Sequence, residues 1–292
     1  MRTLALAISA ALAATLSGAS QAQQAVPPCE ACAEWNRPQT PYRIFANTYY
    51  AGARGLSAIL ITSRQGHVLI DAALPESAGP IAASVRALGF KVEDIRVILN
   101  SHAHFDHAGG IAELQRMSGA TVRAMPWSAA VLRSGTAPRS DPQFGIAPLM
   151  SPARNVELIS DGGTVRVGPV SLTAHATPGH TPGGTSWTWR SCEGPTCIDF
   201  VYADSLTAVS ADGFLFTRSL EYPNAIADFE RSFRVLEGVS CGILLTPHPE
   251  ASRAWMKNPA ACRMYADAAR ERLSKRLKTE AGSVDLAIPV AQ

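Results

Sequence analysis

Five of the seven histidines of this 292-residue chain lie in three short turns. The turns are His102-Ala-His104-Phe-Asp106-His107, Pro178-Gly-His180-Thr-Pro and Thr246-Pro-His248-Pro. Zinc binds imidazole nitrogens and carboxylate oxygens, and a catalytic zinc keeps one position for water, so three protein ligands per ion are expected. The spacing therefore predicts two zinc ions, one held by His102, His104 and His180 and the other by Asp106, His107 and His248.

The alternative for these turns is a set of hydrogen-bonded imidazoles without a metal. Clustering three histidines in that way costs desolvation and, below neutral pH, mutual repulsion. The remaining histidines, His67 and His175, have no ligand partners at useful spacing, and we interpret both as structural. Asp71 ends a strand-like run, where it either accepts a hydrogen bond from the back of a ligand imidazole or caps the strand.

Each histidine turn follows a predicted strand. The strands are 96–100, 170–173 and 242–245, and loops at one edge of a sheet are where functional sites converge. The runs 57–62 and 67–71 predict a hairpin, and the apolar spacing of Ile81, Val85 and Leu88 predicts a helix ended by Gly89. Tyr265 to Leu277 predicts a long closing helix. This alternation of strands and helices predicts one compact α/β domain.

The amino terminus has the pattern of a secretory signal peptide. Arg2 precedes an apolar run from Leu4 to Leu16, and Ser20-Gln-Ala22 suits cleavage after Ala22; a retained membrane anchor is the alternative. We therefore divide the chain into a signal peptide (1–22), an N-terminal extension (23–40) and a catalytic domain (41–292). The mature protein is expected in the periplasm or outside the cell, without a membrane anchor.

Export permits disulfides among the six cysteines. We expect a local Cys192–Cys197 pair and a longer Cys241–Cys262 pair, although sequence alone does not determine connectivity. Cys29-x-x-Cys32 has no second CxxC to complete a four-thiolate zinc site, so a terminal disulfide or free thiols is the simpler interpretation.

The formal net charge of +2, without basic runs interleaved with aromatic residues, argues against nucleic acid and favours a small-molecule ligand. The chain has neither a Ser-x-x-Lys motif nor a G-x-S-x-G elbow, so a metal is expected to carry any hydrolysis.

The turn from His102 to Gly110 is similar to the signature of the metallo-β-lactamase superfamily. The resemblance implies a single-domain, four-layer αββα sandwich with paired metals at one edge. Three further segments resemble subclass B3 of the metallo-β-lactamases, and the resemblance covers about Pro41 to Lys278. The segments are Pro178 to Trp187, Tyr202-Ala-Asp204-Ser205-Leu-Thr207 and Thr246-Pro-His248-Pro. In that subclass the position of Ser205 replaces a cysteine ligand, and the stretch to Thr207 contributes hydroxyls near the substrate carboxylate, so both residues are expected to bind substrate.

The resemblance implies a β-lactamase that holds two Zn²⁺ per chain and acts on β-lactam antibiotics. We expect the protein to be a monomer. Zinc-bound hydroxide, oriented by the catalytic residue Asp106, would attack the amide carbonyl of the β-lactam ring. Two alternatives remain open: another hydrolase of the same fold acting on a lactone or thioester, and a non-catalytic zinc-binding protein. Glyoxalases and lactonases of the superfamily place a metal-bridging aspartate in the region of Asp204, so the position of this carboxylate bears on the choice.

Overall fold

The structure is a computed structural model that describes residues 29–253 and 256–285. The predicted signal peptide lies outside the described residues. None of the helices in these two ranges is long and apolar enough to span a membrane. The helices are α1 (Cys32–Trp35), α2 (Ala78–Ala87), α3 (Phe105–Ala108), α4 (Ile111–Ser118), α5 (Pro126–Ser134), α6 (Ala225–Gly238) and α7 (Ala261–Asp285).

The strands of the described chain form two sheets. The first contains β1 (Tyr42–Phe45), β2 (Thr48–Tyr50), β3 (Ile59–Ser63), β4 (Gly66–Ile70), β5 (Ile95–Leu99), β6 (Thr121–Ala124) and β7 (Val156–Leu158), paired in chain order. The second contains β8 (Thr164–Val167), β9 (Val170–Ala176), β10 (Thr185–Glu193), β11 (Thr196–Tyr202) and β12 (Ile243–Leu245), in the order β12-β11-β10-β9-β8. Pairing is antiparallel from β1 to β4 and parallel from β4 to β7, while in the second sheet only β11 and β12 pair in parallel.

The predicted hairpin is present as β3 and β4, and both of its faces are buried. Leu60 and Leu69 pack among the helices α2, α4 and α5, whereas Ile61 and Val68 face the second sheet. Because side chains alternate across a strand, a strand covered on both faces is apolar at nearly every position. This explains why the sequence shows continuous apolar runs here.

Large aromatic side chains fill the space between the two sheets. Trp187, Phe200 and Tyr202 are fully buried there, and Trp187 also donates a hydrogen bond from Nε1 to the carbonyl of Asn100 at 3.1 Å. A third cluster, which includes Phe229 and Phe233, packs α6 and α7 on the other face of the second sheet. The layers are therefore helix, sheet, sheet and helix, which confirms the predicted αββα sandwich.

All six cysteines form disulfide bonds. Cys192 and Cys197 face each other across the β10–β11 hairpin with Cα atoms 4.0 Å apart. The bond between Cys241 and Cys262 joins the approach to β12 to the first turn of α7. Both predicted pairs are confirmed, and Cys29–Cys32 forms a bond as well, which decides between the two alternatives left open for it.

Candidate metal centre

The turn after β5 that carries the first histidines is held by Asp71. This buried carboxylate accepts hydrogen bonds from the backbone N–H and the hydroxyl of Ser101 (2.8 and 2.7 Å) and from the hydroxyl of Tyr202 (2.7 Å). Burial raises the pKa of Asp71 to about 6, against the effect of these donors and of His107. Its hydrogen bonds go to the turn and to β11 and not to an imidazole, so Asp71 supports the turn and does not contact a ligand directly.

The first group of three histidines converges from two turns. The rings of His102, His104 and His180 have centroids 4.7 to 4.9 Å apart, and one nitrogen from each lies within 4.8 Å of the other two. All three side chains are buried. We call this group the first triad.

One nitrogen of each ring in the first triad is already engaged. His102 Nδ1 lies 2.7 Å from Asp204 Oδ1, His104 Nε2 lies 3.0 and 3.1 Å from the two oxygens of Asp141, and His180 Nδ1 lies 2.8 Å from the carbonyl oxygen of Thr207. The opposite nitrogens are the ones available to a metal. His102 Nε2 is buried with no hydrogen-bond partner in the described chain, and His104 Nδ1 lies 3.4 Å from the side-chain nitrogen of Gln143. Zinc-binding imidazoles are normally oriented in this way by an acceptor on the opposite nitrogen. The residues therefore fit a metal ion.

The second group, which we call the second triad, contains Asp106, His107 and His248. Asp106 Oδ2 lies 3.2 Å from His107 Nε2 and 3.3 Å from His248 Nε2. The two triads are adjacent, since the rings of His102 and His107 have centroids 4.4 Å apart. The structure thus brings together all six side chains that the sequence predicts as ligands, while their binding of metal stays a prediction.

The electrostatics of the cluster favour the protonation states that metal binding requires. Burial and neighbouring imidazoles hold the pKa of His102 well below its usual range and lower that of His180 to about 3. Burial alone would raise the pKa of Asp106, but His107 and His248 hold it well below the ordinary value. Neutral imidazoles and an ionised carboxylate are the forms that bind zinc. His104 differs, because Asp141 outweighs the effect of burial and raises its pKa.

The cluster opens into a pocket of about 440 Å³, within the size range of small-molecule sites. Ser205 and Thr207, both predicted to bind substrate, line this pocket. The hydroxyl of Thr207 lies 3.2 Å from His180 Nδ1, whereas the hydroxyl of Ser205 has no hydrogen-bond partner among residues 29–253 and 256–285. Ser205 is therefore free to donate to a ligand.

Asp204 lies behind His102, and it belongs to neither of the ligand groups found among the described residues. Burial raises its pKa to about 7. Its Oδ1 orients the imidazole of His102, whereas its Oδ2 is buried with no hydrogen-bond partner in the described chain.

Sequence reasoning missed three residues that contact the ligands, and one of them is Gln143, whose side-chain nitrogen lies 3.4 Å from His104 Nδ1. Asp141 is fully buried against His104, and the ring of Trp35 packs on that of His248 with centroids 4.9 Å apart. Asp141 stands in a Ser-Asp-Pro stretch that indicates only a turn, and Trp35 belongs to the segment predicted as an extension. Neither of the two histidines that we interpreted as structural belongs to a triad. The ring of His67 packs edge-on against that of Phe90, and His175 Nε2 forms a hydrogen bond with the hydroxyl of Thr188.

The four-layer fold and the paired triads define an α/β protein with a metal-type site at one edge of its sheets. The family model of the metallo-beta-lactamase superfamily matches residues 51–257, and the chain belongs to that superfamily. Among solved structures, the Rm3 metallo-beta-lactamase is 54% identical, with a TM-score of 0.86, over 87% of this chain and 100% of that one. MEM-A1, a subclass B3 metallo-beta-lactamase from a soil metagenome library, is 49% identical, with a TM-score of 0.84, over 85% of this chain and 99% of that one. The resemblance to subclass B3 is confirmed.

Curated relatives match over shorter stretches. A hydroxyacylglutathione hydrolase of Anaeromyxobacter dehalogenans (strain 2CP-C) is 33% identical over 120 residues, which are 41% of this chain and 38% of that protein. The chain spans about half the length of the curated relatives it matches.

Proposed function

We propose that this protein is a zinc-dependent β-lactamase that hydrolyses the amide bond of the β-lactam ring. The observation that carries the proposal is the convergence of the two triads beside one pocket. One nitrogen of each imidazole in the first triad lies within 4.8 Å of the other two. In the second triad, Asp106 Oδ2 lies 3.2 Å from His107 Nε2 and 3.3 Å from His248 Nε2, and both triads contribute side chains to the pocket wall. Similarity along the whole length of the Rm3 metallo-beta-lactamase supports the choice of substrate.

Two Zn²⁺ ions would be bound, one by the first triad and one by the second. When bound, the ions would lower the pKa of a water towards neutral and polarise the substrate carbonyl. Hydrolysis adds that water across the amide bond: the carbonyl carbon gains the oxygen, and the ring nitrogen takes a proton as the C–N bond breaks.

The chain's own residues bind and orient the reacting groups. Asp106 holds His107 and His248 through Oδ2 and orients the attacking water towards the carbonyl carbon. The free hydroxyl of Ser205 and that of Thr207 would donate hydrogen bonds to the substrate carboxylate. Trp35 and Val209 provide apolar walls beside the polar groups, which suits the ring of a small organic substrate.

The same proposal covers location and assembly. The leader would be cleaved after Ala22 and the mature enzyme released into the periplasm or medium, where it acts as a monomer without a membrane anchor or nucleic acid. Three disulfides suit an oxidising compartment.

The second candidate is a hydrolase of the same fold that acts on a lactone or thioester. The partial match to a hydroxyacylglutathione hydrolase favours it. The contact between Asp204 Oδ1 and His102 Nδ1 favours the β-lactamase, because this oxygen orients an imidazole.

The deciding experiment is hydrolysis of a chromogenic cephalosporin by the purified mature protein before and after chelation, with zinc added back. We expect chelation to abolish turnover and zinc to restore it. Turnover of a homoserine lactone or a hydroxyacyl thioester with no cephalosporin hydrolysis would replace the proposal with the second candidate. Chelator-sensitive turnover of any of these substrates excludes a non-catalytic zinc protein.

A further inference from the structure

Residues 203–217, which we call the site loop, follow β11 and contain no helix or strand. The site loop supplies Asp204 to His102, the Thr207 carbonyl to His180, and Ser205 and Val209 to the pocket. An irregular segment of this length inside a compact domain is uncommon, and its backbone polar groups need partners from elsewhere. Those partners come largely from α7.

Tyr265 holds the beginning of the site loop. Its buried hydroxyl donates to the carbonyl oxygen of Asp204 at 3.0 Å and accepts from the N–H of Leu206 at 3.3 Å. The Tyr265 hydroxyl thus forms hydrogen bonds with the backbone of both residues adjacent to Ser205.

Arg276 holds the middle of the site loop, three helical turns further along α7. Its guanidinium donates to the carbonyl oxygen of Ala208 (3.2 Å), the hydroxyl of Ser210 (2.8 Å) and the carbonyl oxygen of Phe214 (3.0 Å). Ala208 follows Thr207 directly, so the guanidinium acts one residue away from the carbonyl that orients His180.

Glu280 holds the end of the site loop and completes the pairing of Arg276. The buried carboxylate accepts from the N–H groups of Phe216 and Thr217 (3.2 and 3.0 Å), from the Thr217 hydroxyl (2.9 Å) and from Arg276 Nε (2.7 Å). Because Tyr265, Arg276 and Glu280 are spaced by whole helical turns, they lie on one face of α7.

We infer that α7 positions the metal centre through the site loop, with Arg276 as the positioning residue for His180. Three side chains of α7 fix the backbone conformation of the site loop. That conformation places the Thr207 carbonyl against His180 and the Asp204 carboxylate against His102. The inference rests on the proposed metal site, but its test uses zinc and cobalt binding and needs no substrate.

The test compares Arg276→Gln with Arg270→Gln. Arg270 is a matched control on the same helix: its guanidinium stacks on Phe233 as that of Arg276 stacks on Phe216, and it pairs with glutamates, but its partners Glu230 and Glu237 belong to α6. Each variant is measured for zinc affinity by competition with a chromophoric chelator, for the visible spectrum of the cobalt-substituted protein, and for thermal unfolding.

We expect both variants to lose some thermal stability, but only Arg276→Gln to bind zinc roughly tenfold or more weakly, the size of effect seen when a ligand imidazole loses its orienting partner. Its cobalt spectrum should change as well, whereas that of Arg270→Gln should match the wild type. Equal zinc affinity and identical cobalt spectra in the two folded variants would overturn the inference. A wild-type protein that binds no zinc would instead overturn the proposed function.

Two milder variants cover the case in which Arg276→Gln does not fold. Arg276→Lys keeps the positive charge beside Glu280 but offers one nitrogen for three loop acceptors, and Tyr265→Phe removes a single hydroxyl. The same loss of zinc affinity is expected from both. Wild-type affinity in both would contradict the role of α7.

Discussion

Replacing Asp141 by Asn tests how much a buried carboxylate behind His104 contributes to the metal centre. Asn has nearly the same shape, but it removes the charge and one of two acceptor oxygens, which lie 3.0 and 3.1 Å from His104 Nε2. A hydrogen bond to a charged group contributes about 1.5–3 kcal/mol, against about 1 kcal/mol for a neutral one. Exchange of the charged acceptor for a neutral one is therefore expected to cost about 0.5–2 kcal/mol. Complete loss of an orienting partner weakens metal binding about 10- to 100-fold, or about 1.4–2.7 kcal/mol, so we expect Asp141→Asn to lie near the tenfold end.

The effect of Asp141→Asn should depend on pH in a defined direction. Burial opposes protonation of His104, but the carboxylate outweighs it and raises the pKa of the imidazole. Zinc must displace that proton, so wild-type affinity falls as the pH drops through the raised pKa. Without the charge, the pKa of His104 falls and competition by protons begins at lower pH. The difference in zinc affinity between the wild type and Asp141→Asn is therefore largest above the raised pKa of His104, and it becomes smaller below that pKa.

The assay is a zinc competition titration at several pH values, with thermal unfolding of the metal-free proteins as a check on folding. Asp199→Asn is the matched control, because Asp199 also pairs with a cation, Arg190, but lies on β11 away from both triads. If Asp141→Asn folds and its zinc affinity stays within twofold of the wild-type affinity at every pH tested, the reasoning is refuted.

Three further predictions concern the second triad and the scaffold. Asp106→Ala should lose one equivalent of zinc, which metal analysis measures. Its cephalosporin turnover in steady-state kinetics should fall strongly while its thermal stability changes little, whereas His67→Ala should leave turnover nearly unchanged. Replacing Cys241 and Cys262 by Ser opens a 21-residue connection and should cost about 3 kcal/mol of unfolding free energy in a denaturant titration. Glu280→Gln should destabilise the protein at neutral pH, and its difference from the wild type should shrink as the pH falls below about 4.5.

The pH dependence expected for Glu280 follows from its lowered pKa. Burial would raise that pKa, but the N–H groups of Phe216 and Thr217 and the guanidinium of Arg276 stabilise the carboxylate and lower it. Its stabilising contribution is therefore present above the ordinary glutamate pKa and is lost as the pH falls through the lowered value. A difference that stays constant from pH 7 to pH 3 would contradict this account. Unchanged turnover in Asp106→Ala, or unchanged stability without the Cys241–Cys262 bond, would contradict the other two.

Much of the fold and the six proposed ligands could be predicted because they depend on local patterns. Each of these patterns is visible within about a dozen consecutive residues. They are the apolar runs of β3 and β4, the helical spacing of apolar residues in α2 and α7, and the histidine turns after β5 and β12. Strand ends at one edge of a sheet bring such turns together, so the clustering of His102, His180 and His248 also followed from their positions.

Only the tertiary structure decided which groups stand behind the ligands. The contacting residues are far apart in sequence. Asp141 and His104 are separated by 37 residues, Asp204 and His102 by 102, and Arg276 and Ala208 by 68. No periodicity links such pairs, because each contact depends on how loops and helices pack once the sheets have formed. Residue type and spacing therefore determined the chemistry available at the site, whereas tertiary packing determined which nitrogen of each imidazole in the first triad is engaged. Asp204 and Thr207 of the site loop meet His102 and His180, and Asp141 meets His104.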